Sequence, residues 1–194
     1  MRRLLTIVSC LALTGCVQLL PDPPEPPRLY PLEPAAIITT RAGEQTLAVI
    51  VPAGEALALG EDIVWRSDGV LGVMSGASWP DRADLLLQRI FAHAYAEADR
   101  TSTVVLSTAA IRADHELHTD VARFEIVEEH GSLAAVLAAR GMLVDGSTRR
   151  VIRAASVEVR SPVAARSASV AAAALQRSAR EGAALLASRL SAGQ

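Results

Sequence analysis

Apolar positions in this chain recur at two spacings, and the wider spacing marks two helices. From Ser78 to Ala98, residues Ala83, Leu86, Leu87, Ile90, Phe91, Ala94 and Ala98 share one face, and Arg82, Asp84, Gln88, Arg89 and His93 take the other. Ser78 stands where a cap is expected, Pro80 falls in the first turn, and Asp81 and Asp84 sit near the positive end of the dipole. Such a stripe needs a sheet to cover. From Arg166 to Leu190 a second helix is predicted, with an inner face of Ala171, Ala174, Leu175, Ser178, Gly182, Leu185 and Leu186. These residues are mostly small and permit close approach to a sheet, although Gly182 weakens the helix by about 1 kcal/mol relative to alanine.

The shorter spacing marks strands. Arg28 to Leu32 reads as a short first strand whose Pro31 puts it at an edge or an end, and Thr46 to Val51 as a buried one. Asp62 to Arg66 and Val70 to Met74 form a hairpin around Ser67-Asp68-Gly69, because Asp-Gly favours a tight turn. After a short strand at Thr103 to Ser107 come three longer ones, Glu116 to Glu128, Ser132 to Val144 and Arg150 to Arg160. Turns at Gly131 and Asp145-Gly146 make these an antiparallel meander. The order predicts an α+β fold, a single mixed, largely antiparallel sheet with two main helices packed on it as an α/β sandwich.

The first apolar run fits neither spacing. Leu4 to Leu13 follows Arg2 and Arg3 and stops after about ten residues, where a transmembrane helix needs roughly 20. A basic start, a short apolar middle and small residues before a cut form an export signal. Leu13-Thr14-Gly15-Cys16 resembles the lipobox of bacterial lipoproteins, in which the cysteine thiol receives a diacylglyceryl group, the chain is cut before it, and the new amine is acylated. The thiol is the one strong nucleophile nearby, and Thr14 and Gly15 leave room for enzymes to reach it. An ordinary buried thiol is the competing account, but basic start, apolar length and lipobox all favour lipidation of Cys16. Pro21, Pro23, Pro24, Pro26 and Pro27 then cannot build a helix or a central strand. The twelve residues from Cys16 to Pro27 instead form a semi-rigid spacer, reaching roughly 35 Å at about 3.1 Å per residue. The expected organisation is a removed signal peptide (1–15), a lipidated cysteine with its tether (16–27), and a single α+β domain (28–194).

Removing residues 1–15 takes Cys10 away, so Cys16 alone remains of the two cysteines, and acylation consumes it. Disulfide and thiol chemistry are then excluded, although an oxidising envelope would permit disulfides. The nineteen lysine-plus-arginine residues are all arginine, a mark of GC-rich coding. Without Arg2 and Arg3 there are seventeen arginines against twenty-one acids, so the formal charge moves from -2 to about -4. An acidic domain with two each of Trp, Tyr and Phe is a poor nucleic-acid binder. Arg149, Arg150 and Arg153 accordingly read as a solvated hairpin tip rather than a phosphate site.

The chemical candidates are few. His115-Glu116-Leu117-His118 is one residue short of the H-E-x-x-H metal motif, and on a strand the two imidazoles point to opposite faces. Gly72-Val73-Met74-Ser75-Gly76 lacks the spacing of a nucleophile elbow, and there is no phosphate-binding glycine loop. No catalytic constellation, metal site or cofactor is expected beyond the covalent acyl groups on Cys16. The chain reads as a binding or scaffolding protein rather than an enzyme.

The whole layout resembles the ABC-type transport auxiliary lipoproteins, the PqiC-like family. The matching features are Cys16, the proline-rich lead into Arg28-Leu29-Tyr30-Pro31-Leu32, Trp79-Pro80, Val121-Ala122-Arg123-Phe124-Glu125, the alanine-rich strand after it, and the closing helix. The resemblance implies a periplasmic lipoprotein, held to the membrane by its lipid anchor, that serves an ABC transporter with an MCE-domain periplasmic subunit. Such systems move phospholipids or other hydrophobic compounds, and the lipoprotein docks the periplasmic subunit at the outer membrane. Val17, rather than aspartate, after the lipidated cysteine favours the outer membrane of a Gram-negative envelope by the enteric sorting rule. Self-association into a homo-oligomer stays open. The rival readings are a scaffold or pilot for another outer-membrane machine such as a secretin, a lipid-binding carrier, and an anchored hydrolase.

Overall fold

In a computed structural model of the chain, the described residues are 25–36, 42–107, 109 and 111–191. Their sheet is organised by one long strand, β7 (His115–Glu129). β8 (Ser132–Asp145) runs antiparallel along the whole of one edge of β7, and β9 (Val151–Pro162) runs antiparallel along β8. The other edge of β7 is shared in series by three parallel strands. β2 (Gln45–Val49) lies beside residues 115–117, β3 (Ala53–Gly54) beside 120–121 and β4 (Asp62–Ser67) beside 126–128. β6 (Ser102–Leu106) then pairs with β2, β5 (Val70–Ser78) with β4, and β1 (Arg28–Leu29) with β5. The result is one open, forked, mixed sheet whose longest ladders are antiparallel, and with its two helices it is the expected α+β fold.

β7 changes phase once, and its sequence carries the sign of it. Leu117, Thr119 and Val121 are buried; then Ala122 enters as an extra residue at a bulge, and Phe124 and Ile126 are buried in their place. Two of the hairpins turn as expected. Asp68 and Gly69 have φ of +50° and +80°, the pair of left-handed residues that a tight strand-reversing turn demands, and His130 and Gly131 repeat this at +52° and +76°. The third differs: between β8 and β9 the left-handed residue is Arg149, not Gly146. There the Asp145 carboxylate accepts from the Ser147 and Thr148 amides at 3.0 and 2.7 Å and so folds a wider loop. Gly146 is needed for another reason, since a Cβ would run into the carbonyl oxygen of Ala113.

α1 (Ala83–Ala98) starts later than its sequence pattern implied. Ser78 ends β5 and caps nothing, and Trp79, which precedes Pro80 and is therefore biased to extended backbone, drops its indole into the core. It stacks on Phe124 with ring centroids 5.9 Å apart. The first amides of α1 are satisfied by backbone instead, Ala83 donating to Gly60 O and Asp84 to Leu59 O. Two residues expected on the wet face are buried. Gln88 donates to Val49 O at 2.7 Å and to Ser107 Oγ at 3.1 Å, tying α1 to the ends of β2 and β6, while Asp84 pairs with Arg82. Ala94 and Ala98, expected in the core, are half-buried and exposed.

α2 (Ala168–Ser191) lies on β8 and β9, α1 lies towards β6 and β2, and the two helices pack on each other over the same face of the sheet. The predicted inner face of α2 is buried except Leu185, which is exposed. Close approach is built from both sides. A Cβ at Gly182 would lie 2.5 Å from Leu137 Cδ2, and one at Gly141 on β8 would lie 2.9 Å from side-chain carbons of Leu186 and Leu190. Ile90 is 2% exposed and belongs to the resulting core. Replacing Ile90 by alanine should cost about 2–5 kcal/mol, read as a lowered urea midpoint of the purified protein whether or not any partner is present.

Candidate docking surface

The second face of the sheet has no helix over it among the described residues. It nevertheless contains buried valines, Val64, Val127 and Val136, which lie outside the main core cluster. Cross-strand register puts Glu125 beside Val136, with Arg66 of β4 opposite Val127. The Glu125 carboxylate is 3% exposed and accepts from Arg66 Nε at 3.0 Å on both oxygens and from Arg123 Nε at 2.7 Å. Burial pushes its pKa up, but the hydrogen bonds from the two guanidinium groups outweigh this and hold it below the ordinary carboxylate value. Further along, Arg160 pairs with Glu129 at 2.8 Å and Glu158 at 3.5 Å. Near the root of α2, Arg166 joins Glu128 and lies over the Trp65 ring at 5.4 Å.

The free edge of β9 is also guarded by arginine. Arg189 and Arg177 of α2 donate to the carbonyls of Ser156 and Pro162, two backbone acceptors of an edge strand that would otherwise invite another strand. Arg153 points the other way and donates to Leu190 O at 3.1 Å, beside a cavity of about 650 Å³ that His115 and Ile152 also line. The three arginines expected to form one hairpin tip therefore separate. Arg149 bonds Glu116 at 2.6 Å, Arg153 holds the end of α2, and Arg150 remains exposed.

His115 opens β7 and lines the cavity, whereas His118 bonds Glu116 at 2.7 Å. That hydrogen bond, with those from Arg149, holds the Glu116 carboxyl below its usual pKa. Among the described residues no three of His, Cys, Asp and Glu come together as metal ligands. A mainly apolar groove of about 530 Å³ runs between the helices, floored by Ile90, Ala94 and Ala184 and rimmed by His93, Glu97 and Arg180. The uncovered end of the α1 stripe faces this groove. No helix among the described residues is long and apolar enough to cross a membrane, and Cys16, with most of the tether, lies outside the described residues.

A model of the family described as the ABC-type transport auxiliary lipoprotein component matches residues 30–187. Among solved structures, protein XCC0632 from Xanthomonas campestris is 23% identical with a TM-score of 0.65, over 82% of this chain and 90% of that one. A crystal structure of an uncharacterized protein is 14% identical with a TM-score of 0.69, over 86% and 99%. PelC from Paraburkholderia phytofirmans, solved as a dodecamer, is 16% identical with a TM-score of 0.50, over 80% and 94%. At these identities the likeness is one of fold. No curated protein matches the chain by sequence.

The buried carboxylate gives a pH-dependent test. Because its pKa is depressed on folding, Glu125 contributes stability above the ordinary glutamate pKa, and that stability is lost as pH falls through the lower folded value. Glu125→Gln should lower stability at pH 7 by about 1.5–3 kcal/mol, the range for hydrogen bonds to a charged group. In thermal melts the deficit should begin to shrink as the pH falls below about 4, the ordinary glutamate value, and vanish only once the pH has passed the lower folded value.

Proposed function

We propose, because the chain belongs to the ABC-type transport auxiliary lipoprotein family, that it is the lipid-anchored adaptor of an ABC transporter whose periplasmic subunit carries MCE domains. Cys16 bears the diacylglyceryl and N-acyl groups, the proline tether spaces the domain from the outer membrane, and the domain docks the periplasmic subunit there. Two or more acyl chains give stable anchoring where one binds reversibly. The cargo is a phospholipid or another hydrophobic compound, and ATP hydrolysis is left to other subunits. The observation that carries this reading is the extent of the family match, which runs from Tyr30 to residue 187, near the end of α2, and so takes in nearly the whole folded domain.

The root of the tether suits a load-bearing anchor. Tyr30 N bonds Ser78 O at 2.9 Å, Leu32 is 1% exposed, and Arg180 of α2 donates to the carbonyls of Glu33 and Pro34. A pull on the tether is thus borne by β5 and α2 together. Self-association belongs to the same reading, since PelC, which shares the fold, is a dodecamer. A second reading, a carrier holding one hydrophobic molecule, draws on the apolar groove between the helices.

Mass spectrometry and fractionation of Cys16→Ala in its host test the anchor, and detergent pull-down of the wild-type protein tests the docking. The acyl mass and the outer-membrane location should be lost in the variant, while the wild type retains the MCE-domain subunit. A variant of normal size in the outer membrane would refute the anchor, and a wild type that leaves the subunit behind would refute the adaptor role.

A further inference from the structure

The hairpin of β4 and β5 leaves one edge of the sheet open. β5 pairs with β4 on one side; on the other only Ala77 and Ser78 are taken, by Arg28 and Leu29 of β1. Among the described residues nothing pairs with that edge from Val70 to Gly76. The chain's own first strand cannot extend along it, because Pro26 and Pro27, which precede β1, lack the N–H that a longer ladder needs. The helices pack over β8, β9 and β6, and a Cβ at Gly72 would meet nothing within 4 Å, so the backbone there is open to approach.

Native edge strands are normally blunted by charge, proline or cover. β5 has no charged residue and no proline, and its Val70 and Val73 are 71% and 48% exposed. The irregularity in its ladder with β4 comes after Val73, which leaves Val70 to Val73 in regular register. The β9 edge differs on each count: it carries Arg153, Glu158 and Arg160, and Arg177 and Arg189 bond two of its carbonyls.

Val70-Leu71-Gly72-Val73-Met74 is apolar in either direction about its glycine. The two-residue turn at Asp68-Gly69 makes Ser67 and Val70 a hydrogen-bonded pair, so Leu71 and Val73 direct their N–H and C=O away from β4. An antiparallel copy related by a two-fold axis at Gly72 would bond Leu71 of each chain to Val73 of the other, with Val70 opposite Met74. At the axis the two glycines form a pair without mutual hydrogen bonds, whose Cα atoms lie about 4.5 Å apart. Charges flank the edge rather than line it, with Asp68 before Val70 at one end and Glu25 and Arg28 at the other. An antiparallel copy therefore brings Asp68 toward an end whose two charges cancel, whereas a parallel one sets Asp68 against Asp68.

We infer that the edge from Val70 to Met74 is where a second copy of this chain joins the sheet, antiparallel and symmetric about Gly72. The contact is isologous, the same strand serving on both sides. It rests on the self-association within the adaptor reading above and gives that association a surface.

The probe is a single cysteine in the full-length lipoprotein in its host membranes, with wild type as the background. After mild oxidation and without reductant, Gly72→Cys should give a disulfide-linked pair of twice the monomer mass, since ~4.5 Å between Cα atoms is within bridging range. Val70→Cys should stay monomeric, because the same residue of the copy lies four positions along the ladder, roughly 13 Å away. Arg89→Cys, at an exposed site on α1, should also stay monomeric. Adding Val73→Lys to Gly72→Cys should cut the linked product about tenfold or more, by placing charge on the edge, with the melting temperature unchanged. The mass of the wild type in mild detergent is measured in parallel by light scattering. If wild type exceeds a monomer and Gly72→Cys does not link, the surface is elsewhere and the self-association survives. If wild type is a monomer and Gly72→Cys does not link, both fall together. Equal linking at Gly72, Val70 and Arg89 would mark random collision, and a link from Gly72→Cys to a protein of another mass would assign the edge to a different partner; either overturns the proposal.

Discussion

The contact between α2 and β8 sets the spacing of everything above the sheet. At Gly182 the helix meets the Leu137 side chain, and at Gly141 the strand meets Leu186 and Leu190, so each element supplies a glycine where the other supplies a leucine. Interdigitation of this kind reaches the density of a protein interior with almost no aromatic residues, which suits a chain that has only two each of Trp, Tyr and Phe. α1 leans on α2 rather than spanning the sheet itself, and the N-terminal strap is clamped to α2 through Arg180. The arginines that cover the β9 edge also come from α2. Displacing α2 would therefore disturb core, strap and edge at once.

With both helices on one face, the opposite face and the sheet's end remain for other work. On the opposite face, which no helix among the described residues covers, Glu125 is buried and held by Arg66 from the neighbouring strand and by Arg123 from its own. A buried carboxylate held by two guanidinium groups is strongly coupled to its surroundings, so this face is rigid rather than adaptable. The His115 end is different in kind. There Asp114 and Asp145 hold loops and Glu116 bonds Arg149, beside a cavity that Glu44, His115 and Ile152 line.

Much of this was legible in the sequence where the governing interaction is local. The Asp68-Gly69 turn and the three long strands follow from turn chemistry and alternation. The phase shift at Ala122 is visible as Val121 and Phe124 three apart. What depended on distant partners was not legible. The start of α1 moved because Trp79 is claimed by Phe124, and Gln88 is buried because Val49 and Ser107 offer it partners across the chain. Gly146 looked like a turn glycine but is a close-approach glycine against Ala113, a distinction that only the fold can make. The same holds for the candidate surface. Arg149, Arg150 and Arg153 read as one cluster in sequence, and only the fold separates their roles.

A double-mutant cycle between Gly182 and Leu137, followed by urea unfolding, tests the central contact most directly. Gly182→Ala alone should destabilise, because the added methyl collides with the Leu137 side chain, which is completely buried. In a Leu137→Ala background the collision is gone, and the same substitution should become neutral or stabilising by up to about 1 kcal/mol, the helix-propensity gain of alanine over glycine. Costs that simply add would contradict the account, since they would mean that the glycine and the leucine do not meet.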